Sequence, residues 1–430
     1  MVRYITSYYL MFFLIFLLAL SDFKTNKDIV LEKEIKKQNN ENLKKTKEQV
    51  YNGKCGQDAS YTLEDGTLTI SGSGDMQNYT TDNLPWEDPN IASLIKNVII
   101  EDGITSIGNY AFYKCLNIEN VTIPNSVSYI GEYSFFYCSN LSLINIPDSV
   151  TSIQDYVFYH CEKLTNIELP QKLASIGIGS FYFCNKLISI EIPDSVTSID
   201  EYAFYYCSNL DSIELSNNIK SIEKYTFYFC TKLVNISIPD GVTFIGQYAF
   251  YSCSLLESIV IPNGVNSIEP YAFSRCSKLE SINIPSIVTS IGDYAFERCS
   301  VIPSIELPVG IKTIGNYAFA SCPKLASLNI TDTVESFGSY AFYGCSVLAS
   351  IHIPNGMTSL EPYVFSGCSK VAEFDIPATV NRIGSRAFDR CSIITTITIP
   401  NGVQTIESYT FCSCYKLVTI NIPESVTSFG

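Results

Sequence analysis

The sequence predicts a solenoid, a fold in which short repeated units stack into a curved parallel β-sheet. Fourteen cysteines recur at an unbroken interval of 23 residues, from Cys115 to Cys414. A phenylalanine stands three residues before every one of them, and a tyrosine stands five residues before it in twelve units, with Gly179 and Arg386 as the departures. A 23-residue unit cannot bury its apolar residues alone, so the units must stack and align their side chains in columns.

Within one unit, the order of residues predicts one strand, one turn and a return segment. Ile144 and Ile146 alternate with the polar Asn145, as in a half-buried strand. Pro147 ends that strand, and the Pro-Asp-Ser sequence makes a turn. A second short apolar pair leads into a return segment, for which we expect a short turn or a 3₁₀ helix. Because a first unit without the Phe and Cys begins near Ile95, we expect about 14–15 units.

The repeated unit resembles that of the BspA-like leucine-rich repeats, also called the Treponema pallidum type. The family pattern is Leu-x-x-Ile-x-Ile-Pro-x-x-Val-x-x-Ile-Gly-x-x-Ala-Phe-x-x-Cys. One unit of this sequence matches it throughout, at Leu233, Ile236, Ile238, Pro239, Val242, Ile245, Gly246, Ala249, Phe250 and Cys253. The resemblance covers residues 95–430. It implies a leucine-rich-repeat solenoid, and it implies adhesion to host cells, extracellular-matrix proteins or neighbouring microbes.

Four segments follow one another along the chain. Residues 1–21 have the pattern of a secretory signal peptide, either cleaved or retained as a signal anchor. Residues 22–50 are a polar tether rich in Lys, Glu and Asn. Residues 51–92 resemble the β cap often found ahead of these repeats, and we expect a hairpin around Asp65-Gly66 that covers the edge of the first strand. Residues 93–430 are the repeats.

The repeats stop part-way through a unit at Gly430, which leaves the last strand near Ile420 open. An open edge promotes aggregation, so we expect either a partial gene product or a partner that covers the edge. The signal pattern predicts a secreted or cell-surface protein. It would meet a membrane only through its N-terminal segment, if that segment is uncleaved.

Composition excludes several classes of function. Hydrophobic residues make up 46% and charged residues 17%, which excludes intrinsic disorder. A net charge of -15 and a pI near 4.7 argue against a nucleic-acid partner. The two histidines, His160 and His352, lie some eight repeats apart, and the sequence contains no nucleophile elbow, phosphate loop or metal-binding motif. We therefore expect no enzymatic activity, no cofactor and no bound metal.

The cysteines of the repeats are expected to be buried free thiols. Residues in one column point the same way, and their Cβ atoms lie about a strand spacing apart, wider than the roughly 3.8 Å of a disulfide. Cys55 and Cys412 fall outside the repeating column, and either could form an intermolecular bridge.

The outward residues of the strands are the main candidates for binding a partner, because solenoids bind on the concave face of the sheet. Their mixed polar and acidic character suits a protein surface or a glycan. Glutamates in three consecutive units would repel one another or bind a cation, whereas a solvated face that serves solubility alone is the alternative. The concave-face candidates are Asn145, Asn166, Glu168, Glu191, Glu214, Asn235, Asn283, Glu306, Asn329, His352 and Asp375.

A second candidate surface lies two residues before the cysteine, where seven successive units carry an aromatic residue and most later units do not. An adhesive patch is one interpretation, and rings packed along the flank are the other. The members of this aromatic stripe are Tyr113, Phe136, Tyr159, Tyr182, Tyr205, Tyr228 and Tyr251. Sequons for N-glycosylation in a eukaryotic source occur at Asn78, Asn120, Asn140, Asn235 and Asn329.

Together these features favour a secreted or cell-surface protein that mediates adhesion or protein–protein binding. The expected partners are host-cell, extracellular-matrix or other surface proteins, with glycans as an alternative. Two other functions remain open: a structural coat component that self-associates, and a carbohydrate-recognition module.

Overall fold

The structure is a computed structural model that describes residues 50–86 and 88–430. The signal segment and, apart from Val50, the polar tether lie outside the described residues. In the described part, parallel strands pair with a register of 23 residues from unit to unit, as in Ser152 with Ser175 and Ser175 with Ser198. The predicted solenoid is therefore confirmed.

A small sheet precedes the repeats and covers the first of them. Its elements are β1 (Tyr51–Lys54), β2 (Ala59–Glu64), β3 (Thr67–Gly72), β4 (Gly74–Asp75) and the helix α1 (Pro89–Leu94). Strands β2 and β3 form the antiparallel hairpin predicted around Asp65-Gly66, whose φ angles of 46° and 78° suit a tight hairpin turn. β3 pairs in parallel with the first repeat, Leu68 opposite Val98. The hairpin thereby covers the edge that the first repeat strand would otherwise expose.

The first ladder consists of the strands that the sequence predicts. In most of them an inward isoleucine or leucine is flanked by outward polar residues, as Ile190 is by Ser189 and Glu191. Val98 and Val121 take the inward place in the first two strands, and Leu143 is an apolar residue on the outward side. Units without an assigned strand keep the same alternation, as at Ile167 and Glu168. The strands are β5 (Asn97–Ile100), β7 (Asn120–Thr122), β9 (Leu143–Ile144), β12 (Ser189–Glu191), β14 (Ser212–Glu214), β17 (Ser258–Ile259), β18 (Ser281–Ile282), β20 (Ser304–Ile305), β22 (Ser327–Leu328), β26 (Thr396–Thr398) and β28 (Thr419–Asn421).

A second ladder runs through the return segments, which the sequence predicts only as turns. Its strands are mostly two residues long, too short for an alternating pattern to reveal them. They pair with the same register, as Ile291 does with Ile314. The strands are β6 (Ile104–Ile107), β8 (Tyr129–Ile130), β10 (Ser152–Ile153), β11 (Ser175–Ile176), β13 (Ser198–Ile199), β15 (Ser221–Ile222), β16 (Phe244–Ile245), β19 (Ser290–Ile291), β21 (Thr313–Ile314), β23 (Ser336–Phe337), β24 (Ser359–Leu360), β25 (Arg382–Ile383), β27 (Thr405–Ile406) and β29 (Ser428–Phe429).

Between the second ladder and the cysteine, each return segment is a series of turns that also bonds to the next unit. The amide of Phe112, for example, donates to the carbonyl of Ser134 at 2.7 Å. The residue five positions before the cysteine has φ between 55° and 62° in all fourteen units, a left-handed conformation that most residues avoid. Gly179 occupies this position in one unit, where its lack of a Cβ suits that conformation.

The core is a set of side-chain columns that run through the stack. The phenylalanine rings stack at centroid distances from 5.2 Å, between Phe112 and Phe135, to 5.9 Å, between Phe319 and Phe342. Thirteen cysteine thiols, from Cys138 to Cys414, each donate to the phenylalanine carbonyl of the preceding unit at 3.1–3.4 Å. All sixteen cysteines lie within the described residues and none forms a disulfide within the chain. For the fourteen cysteines of the column, the column geometry predicts this.

Candidate functional site

The outward side chains of the first ladder form one continuous surface, here called the strand face. It is the face predicted to be concave. All eleven candidates that the sequence assigns to it are exposed. Glu191 and Glu214 are paired in register on neighbouring strands, which places their side chains about 4.8 Å apart along the stack. Glu168 occupies the same position one unit earlier.

Two of the eleven candidates are used by the framework of the ladder. The carboxamide of Asn283 accepts a hydrogen bond from the amide of Ile261 at 2.7 Å and donates to its carbonyl at 3.0 Å. Asn329 makes the same pair of bonds with the backbone of Leu307, at 2.6 and 3.0 Å. In both cases the side chain satisfies backbone groups of the preceding unit, so it is not available to a partner without breaking the ladder.

Other members of the strand face also have local roles. Nε2 of His352 lies 2.8 Å from Oδ1 of Asp332, which accepts from the amide of Asn355 as well. These contacts hold Asp332 ionised, because the bonds from Asn355 and then His352 lower the pKa of its carboxyl. The backbone of Asn235 forms a parallel bridge with Ser258.

The N-terminal half of the strand face is different. Within the described part of the chain, the side chains of Asn145, Asn166, Glu168, Glu191 and Glu214 make no hydrogen bond or ion pair with the protein itself. They lie in four consecutive units. The side chains of Asn235, Glu306 and Asp375 are equally unengaged within the described residues. Asn235 continues the strip by one unit as a neutral residue, whereas Glu306 and Asp375 have no acidic neighbour at the same position of the adjacent units, although Glu373 lies two residues before Asp375. The structure therefore singles out one contiguous polar strip in which three consecutive units carry a carboxylate.

The aromatic stripe is a stack of rings on the flank. Consecutive rings from Tyr113 to Tyr251 are parallel, with centroids 4.3–5.0 Å apart. Each ring is half-buried, and the faces are occupied by neighbouring rings, so the edges are what solvent meets. Burial accordingly raises the pKa of Tyr205, Tyr228 and Tyr251. The stripe ends where the guanidinium of Arg275 lies 5.4 Å from the ring of Tyr251.

A second aromatic column, which the sequence analysis does not identify, lies beside the stripe at the position just before each cysteine. Tyr137, His160, Phe183, Tyr206 and Phe229 stack at 4.3–5.1 Å. His160 is buried in this column, with Nδ1 3.2 Å from Oε1 of Glu162. The recurrence of aromatic residues at this position in five successive units is the signal that would have revealed the column.

A third column, the tyrosine ladder, is formed by the residues five positions before each cysteine, from Tyr110 to Tyr409. Nine pairs of its rings stack at 4.3–5.0 Å. At one departure, Arg386 takes the place of a ring: its guanidinium carbon lies 5.7 Å from the ring centroid of Tyr363 and 4.7 Å from that of Tyr409. At the other, Gly179 leaves the place without a side chain.

The sequons lie in different settings. Oδ1 of Asn78 accepts from the amide of Asn109 at 2.9 Å, and Nδ2 of Asn120 donates to Asn97 at 2.9 Å. Asn140 is half-buried. Among the described residues there is no group of three or more His, Cys, Asp or Glu side chains placed to hold a metal ion. No helix in the same described part is long and apolar enough to cross a membrane.

Stacked parallel ladders with buried Leu, Ile and Phe columns and an outward polar strand face define a leucine-rich-repeat protein. The BspA type leucine rich repeat region matches the chain in six copies, over residues 91–211, 197–326 and 312–430. The chain belongs to this family.

Solved structures of bacterial leucine-rich-repeat proteins are similar to this chain. One from Bacteroides ovatus is 28% identical, covers 87% of this chain and 89% of that chain, and superposes with a TM-score of 0.59. One from Eubacterium ventriosum is 27% identical, covers 80% of this chain and 95% of that chain, and has a TM-score of 0.55. A leucine rich cell surface protein from Faecalibacterium prausnitzii is 27% identical, covers 87% of this chain and 95% of that chain, and has a TM-score of 0.41. No curated protein matches the chain.

Proposed function

We propose that this chain is a secreted or cell-surface binding protein without enzymatic activity, and that it holds a protein partner on the strand face. The observation that carries the proposal is the contiguous strip of five exposed and unengaged side chains, Asn145, Asn166, Glu168, Glu191 and Glu214. Membership of the BspA-type family and the secretory pattern of residues 1–21 support an extracellular role in adhesion.

The chemistry of the strip specifies the kind of partner. Three carboxylates at about one strand spacing form a local concentration of negative charge, and the chain as a whole carries -15. Such a charge distribution steers a basic surface towards the strip and makes association sensitive to salt. A basic patch on an extracellular-matrix or host-cell protein is the partner that fits.

The test compares two matched double variants. Glu191→Gln with Glu214→Gln removes two charges from the strip, whereas Glu306→Gln with Asp375→Asn removes two charges from positions of the same face that lie outside the strip. The exported protein is passed over immobilised matrix and cell-surface proteins, and affinity is measured at two salt concentrations. We expect the first variant to lose about tenfold in affinity and the second to bind like the unaltered protein.

Three outcomes would contradict the proposal. Equal losses in both variants would show that net charge, rather than the strip, governs binding. Concentration-dependent self-assembly without any ligand would favour a structural coat. Binding to glycans but to no protein would favour a carbohydrate-recognition module.

A further inference from the structure

The gap at Gly179 in the tyrosine ladder has two aromatic walls. Tyr156 precedes it by one unit and Tyr202 follows it by one unit, and within the described residues these two rings make no contact with each other. The ring of Tyr182, from the same unit as Gly179, lies at the side of the gap, 6.5 Å from the ring of Tyr202. The place of one ring is therefore bounded by three tyrosines and by the glycine backbone.

Tyr156 responds to the missing ring by leaning into the gap. A Cβ atom added at Gly179 would lie 2.7 Å from Cε1 of Tyr156. The stacking of Tyr156 on Tyr133, at 5.0 Å and 19°, is the longest and most tilted of the nine stacked pairs in the tyrosine ladder. Tyr156 thus half-closes a slot, and a ligand that enters would return the ring to the regular spacing of the other pairs.

The same fold shows what fits such a slot. In the unit of Arg386 the missing ring is replaced by a guanidinium between Tyr363 and Tyr409. A carboxylate supports it, because Nη1 of Arg386 lies 3.8 Å from Oδ2 of Asp389. A planar cation between two tyrosines, with an acidic group beside it, is therefore compatible with the geometry of this ladder.

The surroundings of the slot at Gly179 are acidic and so complement the positive charge of a guanidinium group. Asp155, Asp200, Glu201 and Glu223 are grouped at this corner, and the ion pair that Glu201 makes is with Lys224, at 3.5 Å. Four acidic groups and one lysine leave a net charge of -3. Burial first, and then the charges of Asp155, Tyr202 and Glu201, raise the pKa of the Tyr156 hydroxyl.

We propose that the slot at Gly179, between the rings of Tyr156 and Tyr202, binds the guanidinium of an arginine side chain on a partner protein. The site lies on the flank, away from the strand face, and does not depend on the function proposed for that face. The residues Asp155 and Glu201 would pair with the guanidinium while the two rings hold its faces.

The experiment titrates the exported protein with an acetylated and amidated Gly-Arg-Gly peptide, followed by NMR of the tyrosine rings and by calorimetry. Matched peptides carry citrulline, which has the same shape without the charge, lysine, or trimethyllysine. We expect the arginine peptide to bind at least tenfold more tightly than the other three, with one site per chain.

Two variants test the location of the site. Gly179→Tyr restores the residue found at this position in twelve units, where tyrosine already adopts the left-handed conformation, so the backbone accommodates it. The new side chain displaces the ring of Tyr156 from the gap and fills the slot itself. We expect it to weaken arginine binding at least tenfold. Arg386→Gly empties the second place in the ladder, and we expect it to raise the stoichiometry from one site to two.

Equal binding of the arginine and citrulline peptides, or undiminished binding by the Gly179→Tyr variant, would overturn the proposal. A preference for trimethyllysine would also overturn it and would assign the slot to a quaternary ammonium group. The double variant Glu191→Gln with Glu214→Gln should bind the arginine peptide normally, so the failure of one proposal can be told from the failure of the other.

Discussion

Thirteen of the fourteen thiols in the cysteine column, from Cys138 to Cys414, donate to a backbone carbonyl, which explains why cysteine occupies the position. The carbonyl of Phe204, for example, accepts the amide of Cys207 at 3.2 Å and the thiol of Cys230 at 3.3 Å. An aliphatic residue would fill the same volume but would leave one bond unmade. Burial raises the pKa of these thiols, to about 12 for Cys345, so they stay protonated and unreactive at neutral pH.

This difference in burial predicts the order in which the cysteines react. In the native protein, iodoacetamide at pH 8 should modify Cys412 first, because it is half-exposed, and should leave the fully buried cysteines such as Cys230 unmodified. Cys414, half-exposed but with a pKa raised to about 11 by burial, should follow slowly. Mass spectrometry counts the labels. The Cys412→Ser variant should lose the fast label, and all sixteen cysteines should react after unfolding. Rapid labelling of Cys230 in the native protein would contradict the buried-thiol interpretation.

At the scale of the element, each repeat is stabilised mainly by the rings and ladders of its two neighbours. The Phe250 ring is fully buried and stacks on Phe227 at 5.4 Å and on Phe273 at 5.5 Å. Phe250→Ala should therefore lower the free energy of unfolding by about 3–5 kcal/mol, through lost burial and a cavity on both sides. Phe411 is only partly buried, and among the described residues it stacks on Phe388 and on no other ring. Phe411→Ala should cost less, and urea unfolding of the two variants measures the difference. Equal losses would show that the last unit is packed as tightly as the middle of the stack.

The elements also show which parts of the molecule are readable from sequence. The strand was predictable because its alternation repeats every 23 residues and is followed in most units by a proline, as at Ile144 to Pro147. The second ladder was not, because a pair such as Ser221–Ile222 is too short to carry a period. On the strand face, exposure followed from the alternation. The bonds that occupy Asn283 depend on rotamer and spacing, which no pattern of residue types specifies.

At the scale of the whole molecule, the buried thiols affect the free energy of unfolding together, because the units are joined by nearest-neighbour contacts. An unfolded thiol loses its proton near pH 8.5, whereas the folded thiols, whose pKa values are raised by burial, keep theirs. Above that pH the unfolded chain binds fewer protons than the folded chain, so the free energy of unfolding falls as pH rises. The stability that the buried thiols contribute is fully present below about pH 8.5. It is lost progressively as the pH rises towards the pKa of the folded thiols, which is about 12 at Cys345.

The resulting prediction is steep alkaline unfolding. In that window each buried thiol lowers the free energy of unfolding by about 1.4 kcal/mol per pH unit. Many thiols ionise together when the stacked units unfold. The melting temperature, followed by circular dichroism, should be nearly constant from pH 6 to 8 and should fall sharply between pH 9 and 10.5. A variant with alanine at Cys207, Cys230, Cys253 and Cys276 removes four of these groups. It should melt lower at pH 7, because cavities and lost hydrogen bonds weaken its core, yet its melting temperature should fall less steeply with pH. A slope identical to that of the unaltered protein would show that groups other than the cysteine column govern the alkaline transition.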